Sequence, residues 1–202
     1  MINYEADPVF WQRFLEGNGF YRGAIDGDFG PNSHSAAAAF EAQSLAAAEQ
    51  RSRFDLRTEG NIQTLQPSVQ IKAREFLKTV NDRLGNENVV FKIISGTRTY
   101  AEQNALFAQG RTKFPGPIVT RARGGQSNHN FGVAWDIGLF VSGQYVPESD
   151  LYRKAGTIGK DLGLAWGGDW QSLQDEPHFH ALPEQQLAAT RIRFEAGEAI
   201  AA

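Results

Sequence analysis

The sequence contains no cysteine among its 202 residues. This absence excludes disulfide bonds, thiolate zinc sites, iron–sulfur clusters and a cysteine nucleophile. There is also no run of about 18 apolar residues, the length that a membrane-spanning helix needs. A basic excess is missing too, because 20 Lys and Arg stand against 23 Asp and Glu, for a net charge of −3. We therefore expect neither a membrane partner nor nucleic-acid binding through a strong basic field.

The first ten residues lack the basic and apolar regions of an ordinary signal peptide. Hydrophobic residues make up 41% of the chain, which is enough for a buried core. The pattern changes near residue 65. Before that point, Asp7 and Pro8 open one predicted helix, Pro31 opens a second, and a shorter one lies near 58–65.

An amphipathic helix opens at Pro67, and the chain after it mixes helices with short strands. The run 89–94 is rich in β-branched residues and suits a buried strand. Residues 131–137 alternate large apolar with small or acidic side chains, which predicts a strand with two unlike faces. We therefore predict an α+β fold in which residues 1–65 form a small helical domain and residues 66–202 a second one. Each segment has its own apolar pattern, so we expect 66–202 to fold alone.

Three of the four histidines lie in two polar clusters. His129 precedes a predicted strand that carries Asp136 seven residues later, and the second cluster runs from Asp175 to His180. A catalytic zinc site needs three protein ligands, an open position for water and a nearby general base. The two clusters supply two imidazole ligands, one carboxylate ligand and a spare carboxylate for the base. Histidines and aspartates that only form hydrogen bonds at the surface would show the same spacing in the sequence.

Two choices within the second cluster stay open from the residues alone. His178 and His180 are two apart and share a strand face, so either can be the ligand. Glu176 can likewise replace Asp175 as the base. Trp166 and Trp170 are candidates for a wall of the cleft, or for core packing.

The motifs ISGTRT at 94–99, GGQSNHNFGVAWD at 124–136 and DEPHF at 175–179 resemble the D-alanyl-D-alanine carboxypeptidase family of zinc peptidases. Within it they are similar to the phage endolysins that cleave L-alanyl-D-glutamate, and the resemblance covers about residues 67–195. It implies a small antiparallel sheet with flanking helices that carries a zinc site. The roles it implies are zinc ligands at His129, Asp136 and His178, a general base at Asp175, a charge-stabilising Arg98, which also contacts substrate, and a substrate contact at Ser127. Trp170, as a candidate cleft wall, is a further candidate for substrate contact.

The front segment has a resemblance of its own. Residues 20–32, FYRGAIDGDFGPN, are similar to the turn of the three-helix peptidoglycan-binding domain, and the following helix continues the likeness. The stretch 57–60 departs from the usual entry into the third helix of that domain. The resemblance implies a wall-binding module ahead of the peptidase.

Together the two resemblances imply a zinc peptidase that cuts the peptide stem of bacterial peptidoglycan and lyses the cell wall. They also imply a phage-type lysin that collects in the host cytoplasm and reaches the wall once the membrane is permeabilised. We expect the protein to be a monomer. One alternative is a D-alanyl-D-alanine carboxypeptidase or dipeptidase. Another is a noncatalytic wall-binding protein with a structural metal, in which His180 supplies a fourth ligand.

Overall fold

The helices and strands follow one another much as the sequence predicts. The computed structural model describes residues 2–113, 115–183 and 186–200. Its helices are α1 Pro8–Gly17, α2 Pro31–Glu49, α3 Leu56–Gln63, α4 Pro67–Leu84, α5 Tyr100–Ala108, α6 Asp150–Asp161 and α7 Leu187–Glu195. Its strands are β1 Val89–Ser95, β2 Ala134–Val141, β3 Gln144–Val146, β4 Ala165–Trp166 and β5 His178–His180. Among the described helices, none combines the length and apolar character needed to cross a membrane.

The five strands form one antiparallel sheet in the order β1-β2-β5-β4, with β3 paired to β2. Alternation along β2 decides its two faces: Trp135 and Ile137 are fully buried, while Asp136 between them is half-buried on the other face. Phe76 of α4 lies 5.9 Å from the Trp135 ring and covers the buried face. The predicted α+β fold with a small antiparallel sheet is confirmed.

Strand β2 begins later than the sequence predicts. Residues Asn128–Phe131 form a 3-10 turn, and Gly132 follows it with a φ of +67°, in the left-handed region that favours glycine. The chain turns at this glycine, so the first half of the alternating run 131–137 does not pair as a strand. The turn also sets His129 apart from the sheet.

The front helices pack against this turn. A Cβ atom on Gly132 would lie 2.6 Å from Cε2 of Phe14 in α1, so only glycine fits there. Phe194 of α7 packs between Phe10 of α1 and Phe131 of the turn, at ring-centroid distances of 5.1 and 5.5 Å. All of these aromatic residues belong to one buried cluster that continues into the sheet. The expectation of a separate core for each segment is therefore wrong.

Helix α3 also crosses the predicted boundary at residue 65. Its Glu59 forms a two-pronged ion pair with Arg74 of α4, at 2.7 and 2.9 Å, and Arg74 is only 1% exposed. Removing one partner of a buried pair typically costs about 3–5 kcal/mol, because the other charge is left uncompensated. Asn61 Nδ2 of α3 donates to the Ile93 carbonyl of β1 at 2.9 Å. Helix α3 thus packs as part of the sheet-bearing unit.

This packing reverses our expectation for the truncated chain 66–202. It lacks α3, so we expect a lower melting temperature and less bound zinc than the full chain has. The chain 52–202 retains Glu59 and Asn61 and should be more stable than 66–202, although it still lacks the α1 aromatics. Circular dichroism melts and metal analysis of both truncated chains check this. A cooperative melt and full zinc content in 66–202 would show that the boundary at 65 separates independent units.

Candidate metal centre and active-site cleft

Three side chains converge at one end of the sheet. His129 Nε2 lies 3.1 Å from Asp136 Oδ1 and 3.1 Å from His178 Nδ1. The third side of this triangle, from His178 Nδ1 to Asp136 Oδ1, is also 3.1 Å. His129 is 1% and His178 4% exposed. These are the three ligands that the motifs implied, and the fold brings them together.

Strand pairing explains two of the three positions. In the antiparallel pair β2–β5, Asp136 stands directly opposite His178, so their side chains leave the sheet on the same face. His180 stands opposite Ala134, two residue pairs further along. Among the described residues, the group of potential ligand atoms lying within 4.8 Å of one another contains His178 and not His180.

The hydrogen bonds of His129 determine which of its nitrogens faces the centre. Nδ1 lies 2.7 Å from the carbonyl oxygen of Gly96, which only accepts, so Nδ1 carries the proton. Burial lowers the pKa of His129, despite the Asp136 carboxylate beside it. A neutral ring that is protonated at Nδ1 has a lone pair on Nε2. This lone pair is directed at Oδ1 of the Asp136 carboxylate, which is also a hydrogen-bond acceptor.

A cation resolves this convergence of lone pairs. Zinc bound tetrahedrally by nitrogen and oxygen at about 2.0–2.2 Å holds its ligand atoms about 3.3 Å apart, close to the separations in this triangle. Two imidazoles and a carboxylate are a ligand set of the kind found in catalytic zinc sites. The cluster therefore fits zinc. His129, Asp136 and His178 would hold the ion, and the contact with Gly96 would orient the first of them.

A cavity of about 660 Å³ opens onto the cluster. The other residues predicted for the site all line it, namely Arg98, Ser127, Trp170 and Asp175. Nη2 of Arg98 lies 3.4 Å from Asp136 Oδ2, and the ring of Trp170 lies 4.9 Å from that of His178. Further parts of the wall come from residues 119–122 and 171–173. Sequence reasoning did not identify 121–122 and 171–173 as parts of the cleft.

The two acidic candidates for the base differ in their surroundings. Burial, followed by the negative charge of Asp136, raises the pKa of Asp175 above its usual value. Glu176 does not line the cavity; its Oε1 accepts from Arg153 Nη1 at 2.9 Å on the outer surface. Of this pair, only Asp175 thus lines the cavity beside the three candidate ligands.

The two tryptophans proposed for the cleft wall also differ in their surroundings. Trp170 lines the cavity, whereas Trp166 packs on α6, where a Cβ atom on Gly156 would lie 2.4 Å from its ring. Nε1 of Trp166 donates to the Glu176 carbonyl at 2.8 Å. Trp166 is therefore a packing residue, and Trp170 is a wall of the cleft.

Comparison with known proteins matches the same part of the chain. Residues 120–181 match the family described as D-alanyl-D-alanine carboxypeptidase. The peptidoglycan L-alanyl-D-glutamate endopeptidase CwlK of Bacillus subtilis is 39% identical over 109 residues, which cover 48% of this chain and 64% of that protein. The chain thus spans just under two thirds of the length of this curated relative.

Among solved structures, the L-Ala D-Glu endopeptidase ChiX of Serratia marcescens matches 65% of this chain and 91% of its own, at 24% identity and a TM-score of 0.45. The matched segment 120–181 contains the three clustered side chains and Asp175. This segment of the chain is therefore similar to the D-alanyl-D-alanine carboxypeptidase family, and it contributes every side chain of the cluster that fits zinc.

Proposed function

We propose that the protein is a zinc-dependent peptidase that hydrolyses the peptide stem of bacterial peptidoglycan, at the L-alanyl-D-glutamate bond. The observation that carries the proposal is the cluster of His129, Asp136 and His178 at the base of a cavity that Arg98 and Asp175 also line. The relative CwlK is named for this bond, and its 39% identity supports the choice of substrate.

The side chains around the cavity have distinct tasks in peptide hydrolysis. Zinc bound in such a site supplies Lewis-acid chemistry, which lowers the pKa of water to about 7 and polarises a carbonyl group. Asp175 accepts the proton of the attacking water and returns a proton to the leaving amine, a role worth about 10²–10⁴-fold in rate. Its raised pKa suits both transfers.

Arg98 and the cleft walls act on the substrate itself. The Arg98 guanidinium faces the cavity beside Asp136 and offsets the negative charge that develops on the scissile carbonyl oxygen. Ser127 and Trp170 line the same cavity, where a hydroxyl and an indole contact the peptide stem. These contacts position the scissile bond, which lowers the entropic part of the barrier.

The three candidate ligands are accessible from the cavity, which argues against an ion with a purely structural role. A closed structural site takes four protein ligands, whereas a catalytic site keeps a position open. The candidate for a fourth ligand, His180, has its ring 5.2 Å from that of His178, but among the described residues its nitrogens do not belong to the group of ligand atoms within 4.8 Å of one another. The cavity reaches the three ligand side chains instead. This arrangement favours the peptidase over the noncatalytic alternative.

Digestion of defined muropeptides by the zinc-loaded full chain tests the proposal. Mass spectrometry should find a new amino terminus on D-glutamate and a free carboxyl on L-alanine. Chelation should stop the reaction, and added zinc should restore it. Release of terminal D-alanine alone would identify a D-alanyl-D-alanine carboxypeptidase. No cleavage of muropeptides or purified sacculi by zinc-loaded protein would contradict a peptidase function.

The finer biological role is part of the same proposal. As a phage-type endolysin, the chain acts as a monomer and lyses host cells from within, once the inner membrane is permeabilised. The turn at 20–32 supports a contribution of the front segment to wall binding. Sedimentation of the full chain with purified sacculi, compared with a variant altered on the exposed side of that turn, tests wall binding. Equal sedimentation of both would remove the turn from the proposal.

A further inference from the structure

The hydrogen bond that orients His129 depends on a backbone segment whose other side lies against the end of α3. The Gly96 carbonyl accepts from His129 Nδ1 at 2.7 Å. A Cβ atom on Gly96 would lie 2.4 Å from both the Asn61 carbonyl oxygen and Thr64 Oγ1. Only glycine allows the segment to approach α3 this closely. The position of the Gly96 carbonyl is therefore set by α3.

The Thr64 hydroxyl connects α3 to this segment. It accepts a hydrogen bond from the backbone N–H of Thr97 at 2.8 Å and donates to the Asn61 carbonyl at 2.7 Å. In return, the Thr97 hydroxyl donates to the Thr64 carbonyl at 2.5 Å. Residues 64 and 97 thus exchange hydrogen bonds immediately beside Gly96. The next residue, Arg98, donates its backbone N–H to the His129 carbonyl at 3.1 Å.

Gln66 holds the opposite side of the turn that bears His129. Its Nε2 donates to the Phe131 carbonyl at 2.7 Å, and its backbone N–H donates to the Gly132 carbonyl at 3.0 Å. Gln66 is only 4% exposed, so water does not compete for these bonds. Thr64 therefore holds the segment that orients the His129 ring, and Gln66 holds the turn that bears His129.

We propose that Thr64 and Gln66 are positioning residues for the metal centre, acting through the Gly96 carbonyl and the His129 turn. The proposal rests on the zinc site inferred above. It gives residues 64–66, at the predicted boundary between the two segments, a role in metal binding. Partners that orient metal-ligating histidines typically contribute about 10–100-fold to metal affinity. Thr64 lies one contact further out, so we expect its effect near the lower end of that range.

Zinc affinity of the full chain tests the proposal without relying on catalysis. Thr64→Val removes the hydroxyl but keeps the branched volume, and should weaken zinc binding about tenfold in competition with a chromogenic chelator. Thr64→Ser keeps the hydroxyl and should bind zinc as the unaltered chain does. Gln66→Met removes the bond to the Phe131 carbonyl at similar volume and should also weaken binding. The absorption spectrum of the cobalt-substituted protein should change in Thr64→Val and recover in Thr64→Ser.

Thr58→Val is the matched control, because it makes the same substitution within α3, the helix that Thr64 follows. Thr58 is fully buried, and its hydroxyl donates to Asp55 Oδ2 at 2.8 Å, away from the metal centre. It should lower the melting temperature without changing zinc affinity. Unchanged zinc affinity and cobalt spectrum in Thr64→Val would overturn the proposal, as would equal weakening in Thr58→Val.

The same measurements separate this inference from the proposed function. If the unaltered chain binds zinc but cleaves no muropeptide, the proposed function fails, and the ranking of zinc affinities still decides the role of Thr64. If the unaltered chain binds no zinc, both the metal centre and the positioning role are overturned.

Discussion

Replacing His129 with alanine should remove zinc from the protein and abolish hydrolysis of muropeptides. His129 Nε2 is one of three candidate ligand atoms spaced 3.1 Å apart, so its loss leaves one imidazole and one carboxylate. Two protein ligands are too few for a stable catalytic zinc site. Metal analysis after dialysis and a muropeptide assay measure both effects, and circular dichroism shows whether the fold is retained.

The other histidines provide the controls for this prediction. His34 lies exposed on α2, so His34→Ala should keep zinc and activity. His178→Gln should lose the metal, whereas His180→Gln should retain it, because only His178 lies opposite Asp136. Full zinc content in His129→Ala would refute the ligand assignment. Loss of zinc in His180→Gln but not in His178→Gln would shift the assignment by two residues.

Replacing Asp175 with asparagine should leave zinc bound and lower the hydrolysis rate by about 10²–10⁴-fold. Asparagine keeps the shape of the side chain but cannot accept the proton of the attacking water. Asp175 lines the cavity and lies outside the group of three candidate ligand residues, so metal content should not change. The measurement is kcat on a defined muropeptide, together with zinc stoichiometry of the same preparation.

The neighbouring residue supplies a matched control. Glu176→Gln removes a carboxylate one position away, whose partner is the half-exposed Arg153 on the outer surface. Surface pairs of this kind contribute about 0–1 kcal/mol, so the variant should fold and cleave nearly as the unaltered chain does. A large rate loss in Glu176→Gln with little loss in Asp175→Asn would exchange the two roles.

Features that depend on neighbours in the sequence were predictable. Asp7 caps α1 by accepting from the Phe10 N–H, and Thr99 with Glu102 forms the capping box that opens α5. Each involves residues three apart, so the pattern is present in the sequence itself. The motif resemblance likewise identified the residues of the zinc cluster, since it compares residues position by position.

The sequence did not reveal how the two segments share one core. Their apolar patterns each suggest a buried face, but a pattern does not say which face packs on which. In the structure, Phe14 contacts Gly132, and Glu59 pairs with Arg74 across the predicted boundary. These contacts join residues far apart in the chain, and only the folded packing determines them.

The sequence by itself thus determined the α+β class, the helix starts and the set of side chains able to bind zinc. The tertiary structure decided which of two equivalent candidates faces the centre: β-strand register set His178 opposite Asp136 and left His180 beside Ala134. It also decided that Thr64 lies behind the carbonyl that orients His129, a contact spanning more than thirty residues. The physical reason is that capping and periodicity are local energies, whereas register and buried hydrogen bonds exist only between segments that folding brings together.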